Sequence, residues 1–326
     1  MTVLITGGAG FIGSHLVDRL ADDDNDLIIF DDLSGGKLDN ISHRLGEDNI
    51  RFEEGSILDK DRLEKLIKES TSVYHLAAIV GLERCCPDPA RTLYVNIEGT
   101  RNVLELCKKH QIKTLMASSS EAYGKNEKAP LNEMDDTILG SATIPRWAYA
   151  ISKLADEHLA NAIKQDLQIT IVRYFNSYGP RVLPIGGSGA VARFIEQSLK
   201  GEVITVFGDG MQARSYTYID DTIDGTIRAM ESGNGNTFNI GMPKETTINE
   251  LAEMIKELVG SDSMIEHMPS PKRWGKFEET HSRLPDITGA RELFDYNPTV
   301  SLSDGLSLTI DWMKTKSLAI NEKRAA

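Results

Sequence analysis

Two side chains four residues apart carry the clearest chemistry in this sequence. Tyr149 and Lys153 bound the stretch Tyr149-Ala150-Ile151-Ser152-Lys153, which reads as helix. Positions i and i+4 share a helix face, so the phenol and the ammonium can meet. A free tyrosine has a pKa of about 10, and a nearby cation favours its phenolate. A phenol placed in this way can act as a general base near neutral pH. The same five-residue spacing also arises in ordinary helices, so the rest of the chain must decide its meaning.

The elements upstream point to a dinucleotide. Thr2–Thr6 is a short β-branched run and reads as a buried parallel strand. Gly7-Gly8-Ala9-Gly10-Phe11-Ile12-Gly13 follows at once, and Leu16, Val17 and Leu20 then recur at helical spacing. Strand, glycine turn and helix form the setting of a dinucleotide loop. Glycines let the backbone turn tightly and let a pyrophosphate approach, while the helix N-terminus offers N–H groups and positive dipole. Gly8, Gly10 and Gly13 fit GxGxxG; Gly7, Gly10 and Gly13 fit GxxGxxG. The next apolar run, 27–30, ends at Asp31-Asp32. An acid roughly 20 residues past the loop accepts ribose hydroxyls and repels a 2′-phosphate. NAD is therefore expected over NADP, with Asp31 as the ribose contact and Asp32 as its solvated neighbour.

Further strands are predicted at 50–52, 73–78, 114–118 and 169–172, with helices at 60–70, 87–110 and around Tyr149. Small or polar residues gather at the strand ends: Gly55-Ser56-Ile57, Leu76-Ala77-Ala78, Ser118-Ser119-Ser120-Glu121 and Arg173-Tyr174-Phe175-Asn176. Ligands of open α/β sheets bind at that edge. His75 reads as a hydrogen-bonded core histidine. The expected fold is α/β, a doubly wound Rossmann-type parallel sheet with a smaller α/β lobe. Beyond Arg181 the pattern changes. Gly186-Gly187-Ser188-Gly189 reads as a flexible connector, followed by helices at 190–200, 220–231 and 249–259 and strands at 203–207, 214–219 and 237–240. Residues 260–285 read as loop, with Pro269, Pro271, Lys272 and Arg273, and a final helix at 302–314 precedes a polar tail. The expected division is an NAD-binding lobe of residues 1–175 and 213–242 and a substrate lobe of 176–212 and 243–326.

The net charge of −13 over 326 residues, with pI ≈ 5.1, argues against nucleic acid or an anionic membrane as the main partner. A locally basic cleft can still bind phosphates. The three cysteines, Cys85, Cys86 and Cys107, are odd in number and lack a CxxC pair, which suits a reducing compartment. Seven scattered histidines have no zinc-type spacing, so no metal is expected. No apolar run reaches the ~18–20 residues of a membrane span. No leader pattern precedes the first strand, and a cytoplasmic protein is expected.

As a set, these residues resemble the extended short-chain dehydrogenase/reductase family that modifies nucleotide sugars. The likeness covers nearly the whole chain. It rests on Thr6 to Gly13, Asp31, His75-Leu76-Ala77-Ala78, Asn96, Ser119 and the Tyr149/Lys153 pair, in that order. Arg173-Tyr174-Phe175-Asn176, Gly179-Pro180-Arg181 and Gly208-Asp209-Gly210 with Arg214 continue it. One position departs: where the family has Asp for the adenine amino group, this chain has Ser56, beside Ile57. The resemblance implies transient oxidation at sugar C4, with NAD recycled on the enzyme. Tyr149 would take the 4-hydroxyl proton, Lys153 would lower the phenol pKa and hold the nicotinamide ribose, and Ser119 would align the hydroxyl. Asn176, Arg181 and Arg214 would contact the diphosphate. A homodimer built on the helices of Asn96 and Tyr149 is also implied.

Ser119-Ser120-Glu121-Ala122-Tyr123-Gly124, Pro145-Arg146-Trp147 and Arg283-Leu284-Pro285-Asp286-Ile287 resemble segments of UDP-glucuronate decarboxylases. A uronate oxidised at C4 is a β-keto acid and loses carbon dioxide readily. Glu121 and Ser120 would orient the substrate or relay a proton, and Arg283 would face its carboxylate or diphosphate. The alternatives are a nucleotide-sugar 4-epimerase, then a 4,6-dehydratase. A non-catalytic NAD-binding regulatory protein is the reading from a different class.

Overall fold

The computed structural model describes residues 1–182, 189–269, 278 and 280–325. The expected connector at 186–188, and Pro271, Lys272 and Arg273 of the expected loop, lie outside these residues. In the first half, β1 (Thr2–Thr6), α1 (Phe11–Asp22), β2 (Asp26–Asp31), β3 (Ile50–Glu54), α2 (Lys60–Lys68) and β4 (Ser72–His75) lead to α3 (Leu82–Cys85) and α4 (Pro89–His110). β5 (Lys113–Ser119), α5 (Trp147–Ile163) and β6 (Ile169–Tyr174) complete it. The second half holds β7 (Ser177–Tyr178), α6 (Gly189–Leu199), β8 (Ile204–Phe207), β9 (Ala213–Arg214), β10 (Thr217–Tyr218), α7 (Ile219–Ser232) and β11 (Thr237–Ile240). β12 (Thr246–Thr247), α8 (Ile248–Val259), β13 (Ile265–Met268), α9 (Thr288–Phe294) and α10 (Leu302–Ala325) follow.

Seven strands form one parallel sheet in the order β11-β6-β5-β4-β1-β2-β3. Alternation along each strand divides the core between the two faces. Val3, Ile5, Tyr74, Leu115 and Ala117 pack into one cluster with Leu16 and Val17 of α1. Leu4, Val73 and Met116 face the other way, onto Leu63, Val103 and Leu104 of α2 and α4. A period of two produces this division, and residues buried on both faces give the continuous apolar runs seen in the sequence. The chain order reverses between β1 and β4, which opens a crevice at their carboxyl ends. β11 returns to pair with β6, and α7 packs beside α1, so residues 219–240 rejoin the first half.

Five elements differ from the sequence reading. The strand expected at 214–219 is broken into β9 and β10, which pair with β12 and β7 respectively. Side-chain bonds from Ser215 to the Met242 carbonyl and from Thr217 to the Phe175 carbonyl replace a continuous ladder. β13 lies inside the expected loop and pairs with β8; its mostly exposed residues carry no apolar alternation. α10 continues through the expected polar tail, and α9 arises where no helix was expected. β4 stops at His75, so Leu76, Ala77 and Ala78 leave the sheet and are free to line the crevice. The β9–β12 pair joins residues on opposite sides of the expected lobe boundary at 242.

The glycine loop also resolves its two spacings. Gly7 has φ +73°, and a Cβ there would lie 2.7 Å from the Ala77 amide nitrogen. At Gly13 a Cβ would lie 2.2 Å from the Gly7 carbonyl oxygen. A Cβ at Gly8 would instead meet the Ile29 side chain. Backbone cannot yield as a side chain can, so Gly7 and Gly13 are the positions that tolerate nothing larger. We expect Gly13→Ala to lower the unfolding free energy by about 1–3 kcal/mol, read as an earlier denaturant midpoint; an unchanged midpoint would mean that the loop relaxes without cost.

Candidate active site

A cavity of about 360 Å³ opens at the carboxyl ends of β1, β2, β4, β5 and β6. Gly7, Gly10, Phe11, Ile12, Gly13, Asp31, Asp32, Ile57, Leu76, Ala77 and Ala78 line it, as the sequence predicts for a cofactor site. Ser119, Ser120, Glu121, Tyr149, Lys153 and Asn176 line the same cavity. The parallel sheet brings these segments together because each follows a strand that ends on one edge.

The two acids at the end of β2 differ. Asp31 is buried, and its two carboxylate oxygens accept hydrogen bonds from the Ala9 and Leu33 amides at 3.0 and 2.8 Å. Burial raises its pKa, while those two amides oppose the rise. Asp32 is exposed and accepts from the Ser34 amide and hydroxyl. Ser34, Gly35 and Gly36 also line the cavity, and the sequence reading passed over them. The Gly-Gly pair just past the acids was the available signal: a Cβ at Gly36 would lie 2.7 Å from the Ala9 carbonyl carbon.

Two expected cofactor contacts stand behind the wall instead of in it. Asn96 is fully buried; it accepts from the Ile79 amide at 2.7 Å and donates to the Ile79 carbonyl at 3.1 Å and to Ser152 at 3.0 Å. It therefore shapes the cavity through Ile79. The Ser56 hydroxyl accepts from the Leu58 amide at 3.3 Å, leaving Gly55 and Ile57 to line the cavity. His75 is a satisfied core histidine, with Thr6 at 2.8 Å and Thr100 at 3.0 Å; burial lowers its pKa to about 3.

Lys153 lines the cavity with Tyr149 and has two partners of its own. It is 4% exposed, donates to the Ala117 carbonyl at 3.0 Å and lies 3.5 Å from the Asp156 carboxylate. The Tyr149 phenol is pushed above its ordinary value, chiefly by burial; the Ser119 hydroxyl opposes this, and Glu121 and Asp156 add to it. Helical spacing puts phenol and ammonium on one face, but the ammonium turns to a β5 carbonyl and a carboxylate one turn on. The Ser119 oxygen accepts from the Glu121 amide at 3.2 Å and so orders the turn that carries Ser120 and Glu121.

Glu121 is held among arginines. Its Oε2 lies 3.2 Å from Arg146 and 3.6 Å from Arg283. Burial works to raise its pKa, but Arg146, Arg283 and Arg214 outweigh it and bring the group down to about 2. Arg146 lines the cavity and packs over the Trp147 ring, a position that the Pro145-Arg146-Trp147 segment does not by itself specify. Arg283 is 1% exposed and donates to the Gly124 carbonyl at 2.6 Å, which places it behind Glu121 and outside the wall. Arg214, bonded to Ala213 and Thr280, is also outside the wall, and Arg181 pairs with Asp18 at 2.7 Å. Among the four expected substrate contacts, only Asn176 lines the cavity; its buried Nδ2 has no hydrogen-bond partner among the described residues. A buried donor left open at a cavity wall suits a polar ligand. Among the described residues no helix is long and apolar enough to cross a membrane.

Residues 3–241 match the model of the NAD dependent epimerase/dehydratase family. The chain is 41% identical over 314 residues to UDP-N-acetyl-alpha-D-glucosaminuronate decarboxylase of Bacillus cytotoxicus, covering 95% of this chain and 97% of that one. It is 36% identical to UDP-glucuronic acid decarboxylase 1 of Danio rerio, over 95% of this chain and 72% of that one. Among solved structures, UDP-glucuronic acid 4-epimerase from Bacillus cereus, in complex with UDP-glucuronic acid and NAD, superposes with a TM-score of 0.87. That match has 34% identity over 97% of this chain and 100% of that one.

The Glu121 cluster yields a test with a definite sign. A carboxyl held at about 2 against an ordinary 4.5 contributes stability that is fully present above pH 4.5 and lost as pH falls toward 2. Wild type should therefore melt above Glu121→Gln at neutral pH, and the gap should close between those two values. Melting curves whose gap does not change with pH would show that the arginines do not stabilise the ionised form.

Proposed function

Because this chain belongs to the NAD dependent epimerase/dehydratase family, we propose that it acts on a UDP-linked uronate and decarboxylates it after transient oxidation at C4. The observation that carries this reading is a buried guanidinium, Arg146, in the same wall as Tyr149, Lys153 and Ser119, with Glu121 beside it. A cation that is largely removed from water suits a substrate carboxylate. The curated relatives described above act, by name, on UDP-linked uronates. UDP-glucuronate is the first substrate to test, with its 2-acetamido form beside it.

The residues present fit NAD. Gly7 and Gly13 leave no room for a Cβ, and Asp31 is fixed by two amides at the end of β2. When bound, NAD supplies a hydride acceptor and donor to the sugar carbon. Gly7, Gly10 and Gly13 would hold its diphosphate, Asp31 its adenosine ribose, and Lys153 its nicotinamide ribose. Tyr149 would take the proton of the 4-hydroxyl, and Ser119 would align that hydroxyl. An ammonium has three donors; Lys153 uses two and keeps one for the cleft. A substrate that fills the cleft brings the Tyr149 phenol a new hydrogen-bond partner, and the Lys153 charge, acting through space, then favours the phenolate. Asn176 would donate its open N–H to the sugar nucleotide. Arg283 and Asn96 act from behind the wall, on Glu121 and on Ile79.

Three further readings accompany this one. Residues 1–175 and 213–242 form the cofactor lobe and the rest the substrate lobe; the cleft between them lies where the cavity opens. A homodimer pairs α4 and α5, whose outer side presents Tyr94 at 60% exposure. A cytoplasmic location suits the three free cysteines Cys85, Cys86 and Cys107.

Mass spectrometry of the sugar nucleotide after incubation with NAD tests the reaction. Loss of carbon dioxide is expected; unchanged mass with a new sugar NMR spectrum would replace decarboxylation by epimerisation, and loss of water by dehydration. Tyr149→Phe should lower kcat by about 10²–10⁴-fold while NAD still binds. Full turnover in that variant would remove Tyr149 as the base.

A further inference from the structure

Asp156 has no role in the chemistry described so far, yet its placement is unusual. It lies on α5 one turn beyond Lys153 and is 0% exposed. Its Oδ2 is 3.5 Å from Lys153 Nζ, and its Oδ1 has no hydrogen-bond partner among the described residues. A buried carboxylate short of partners is costly, and an apolar residue at the same helix position would avoid that cost. What a carboxylate adds here is a counter-charge to Lys153.

Lys153 supplies the positive charge acting on Asp156, and the Thr100 hydroxyl also hydrogen-bonds its carboxylate. On α5, Glu157 is already answered by Arg173 of β6, at 2.8 and 2.6 Å, and by Ser118 of β5. On α4, Thr100 faces the same region and bonds His75 of β4, which burial keeps neutral at ordinary pH. β5 presents the Ala117 carbonyl, which takes a second Lys153 donor. Tyr149 lies one turn before Lys153 on the same helix. Burial raises the Asp156 carboxyl to about 6, with Lys153 and the Thr100 hydroxyl opposing the rise.

We propose that Asp156 is a positioning residue: it holds the Lys153 ammonium against β5 and offsets its charge, and so sets the pH range in which Tyr149 works as a base. This role rests on Tyr149 being the base. The sign follows from charge alone. A carboxylate near the pair opposes formation of the phenolate, and its removal leaves Lys153 uncompensated, which favours it. Asp156 therefore keeps the site from ionising too early.

Asp156→Asn is the closest neutral variant in shape, and Asp156→Glu keeps the charge. The rising limb of the pH–kcat profile should move about 0.5–1 pH unit lower in Asp156→Asn and stay near wild type in Asp156→Glu. A second readout needs no turnover. NMR of tyrosine labelled at the hydroxyl-bearing ring carbon, with NAD bound, follows Tyr149, whose signal is identified by its loss in Tyr149→Phe. Its ionisation should move in the same direction. An unmoved titration in a folded Asp156→Asn protein overturns the role and leaves Tyr149 as base untouched. A shifted titration in a protein that turns over no sugar nucleotide supports the role and removes the substrate reading instead. Asp156→Ala stands in if the Asn variant does not fold; if neither folds, Asp156 is a structural ion-pair partner and the role is overturned.

Discussion

The bond from the Lys153 ammonium to the Ala117 carbonyl ties α5 to β5. Together with the Ser118–Glu157 bond between the same two elements, that junction sets where Ser119 and Tyr149 stand. Ser119 ends β5 two residues after Ala117, and Tyr149 precedes Lys153 by one helical turn. A helix alone could turn its phenol anywhere around its axis, and a strand end alone could point its serine at solvent. The ammonium–carbonyl contact removes that freedom, and it does so out of water, where a charge-assisted bond is at its strongest.

The site handles charge by enclosing it in pairs. Glu121 stays ionised because Arg146 and Arg283 stand against it. Glu157 pairs with Arg173, and Lys153 with Asp156. Such pairs cost desolvation and return orientation. The cofactor end uses another device. Asp31 is fixed by two backbone amides, which hold its carboxylate in place without adding a side-chain cation. Each end of the cleft therefore presents carboxylates in fixed directions, although the protein as a whole carries a large negative charge.

Much of this was legible in the sequence. β-branched runs, the glycine turn and the acids after β2 mark local structure, and local structure obeys short-range rules of sterics and periodicity. The same rules missed β13, which has no apolar alternation to announce it, and misread residues 214–219, where side-chain bonds from Ser215 and Thr217 break the ladder. The resemblance named Asn96, Arg181, Arg214 and Arg283 as ligand contacts, and none of the four is in the cavity wall. A motif specifies which residue type stands near a site, and it does not specify whether that residue forms the wall or supports it from behind.

By itself, the amino-acid order determined the strand–turn–helix alternation, the glycines that admit no side chain, and the set of groups available for proton transfer. Those follow from contacts between near neighbours in the chain. Only the tertiary structure decided that Lys153 turns to Ala117 and Asp156, that Arg146 lines the cleft while Arg283 lies behind Glu121, and that burial raises the Tyr149 phenol. Each of those depends on which distant segments share one desolvated volume, and solvation in a folded interior is not a property of any segment alone.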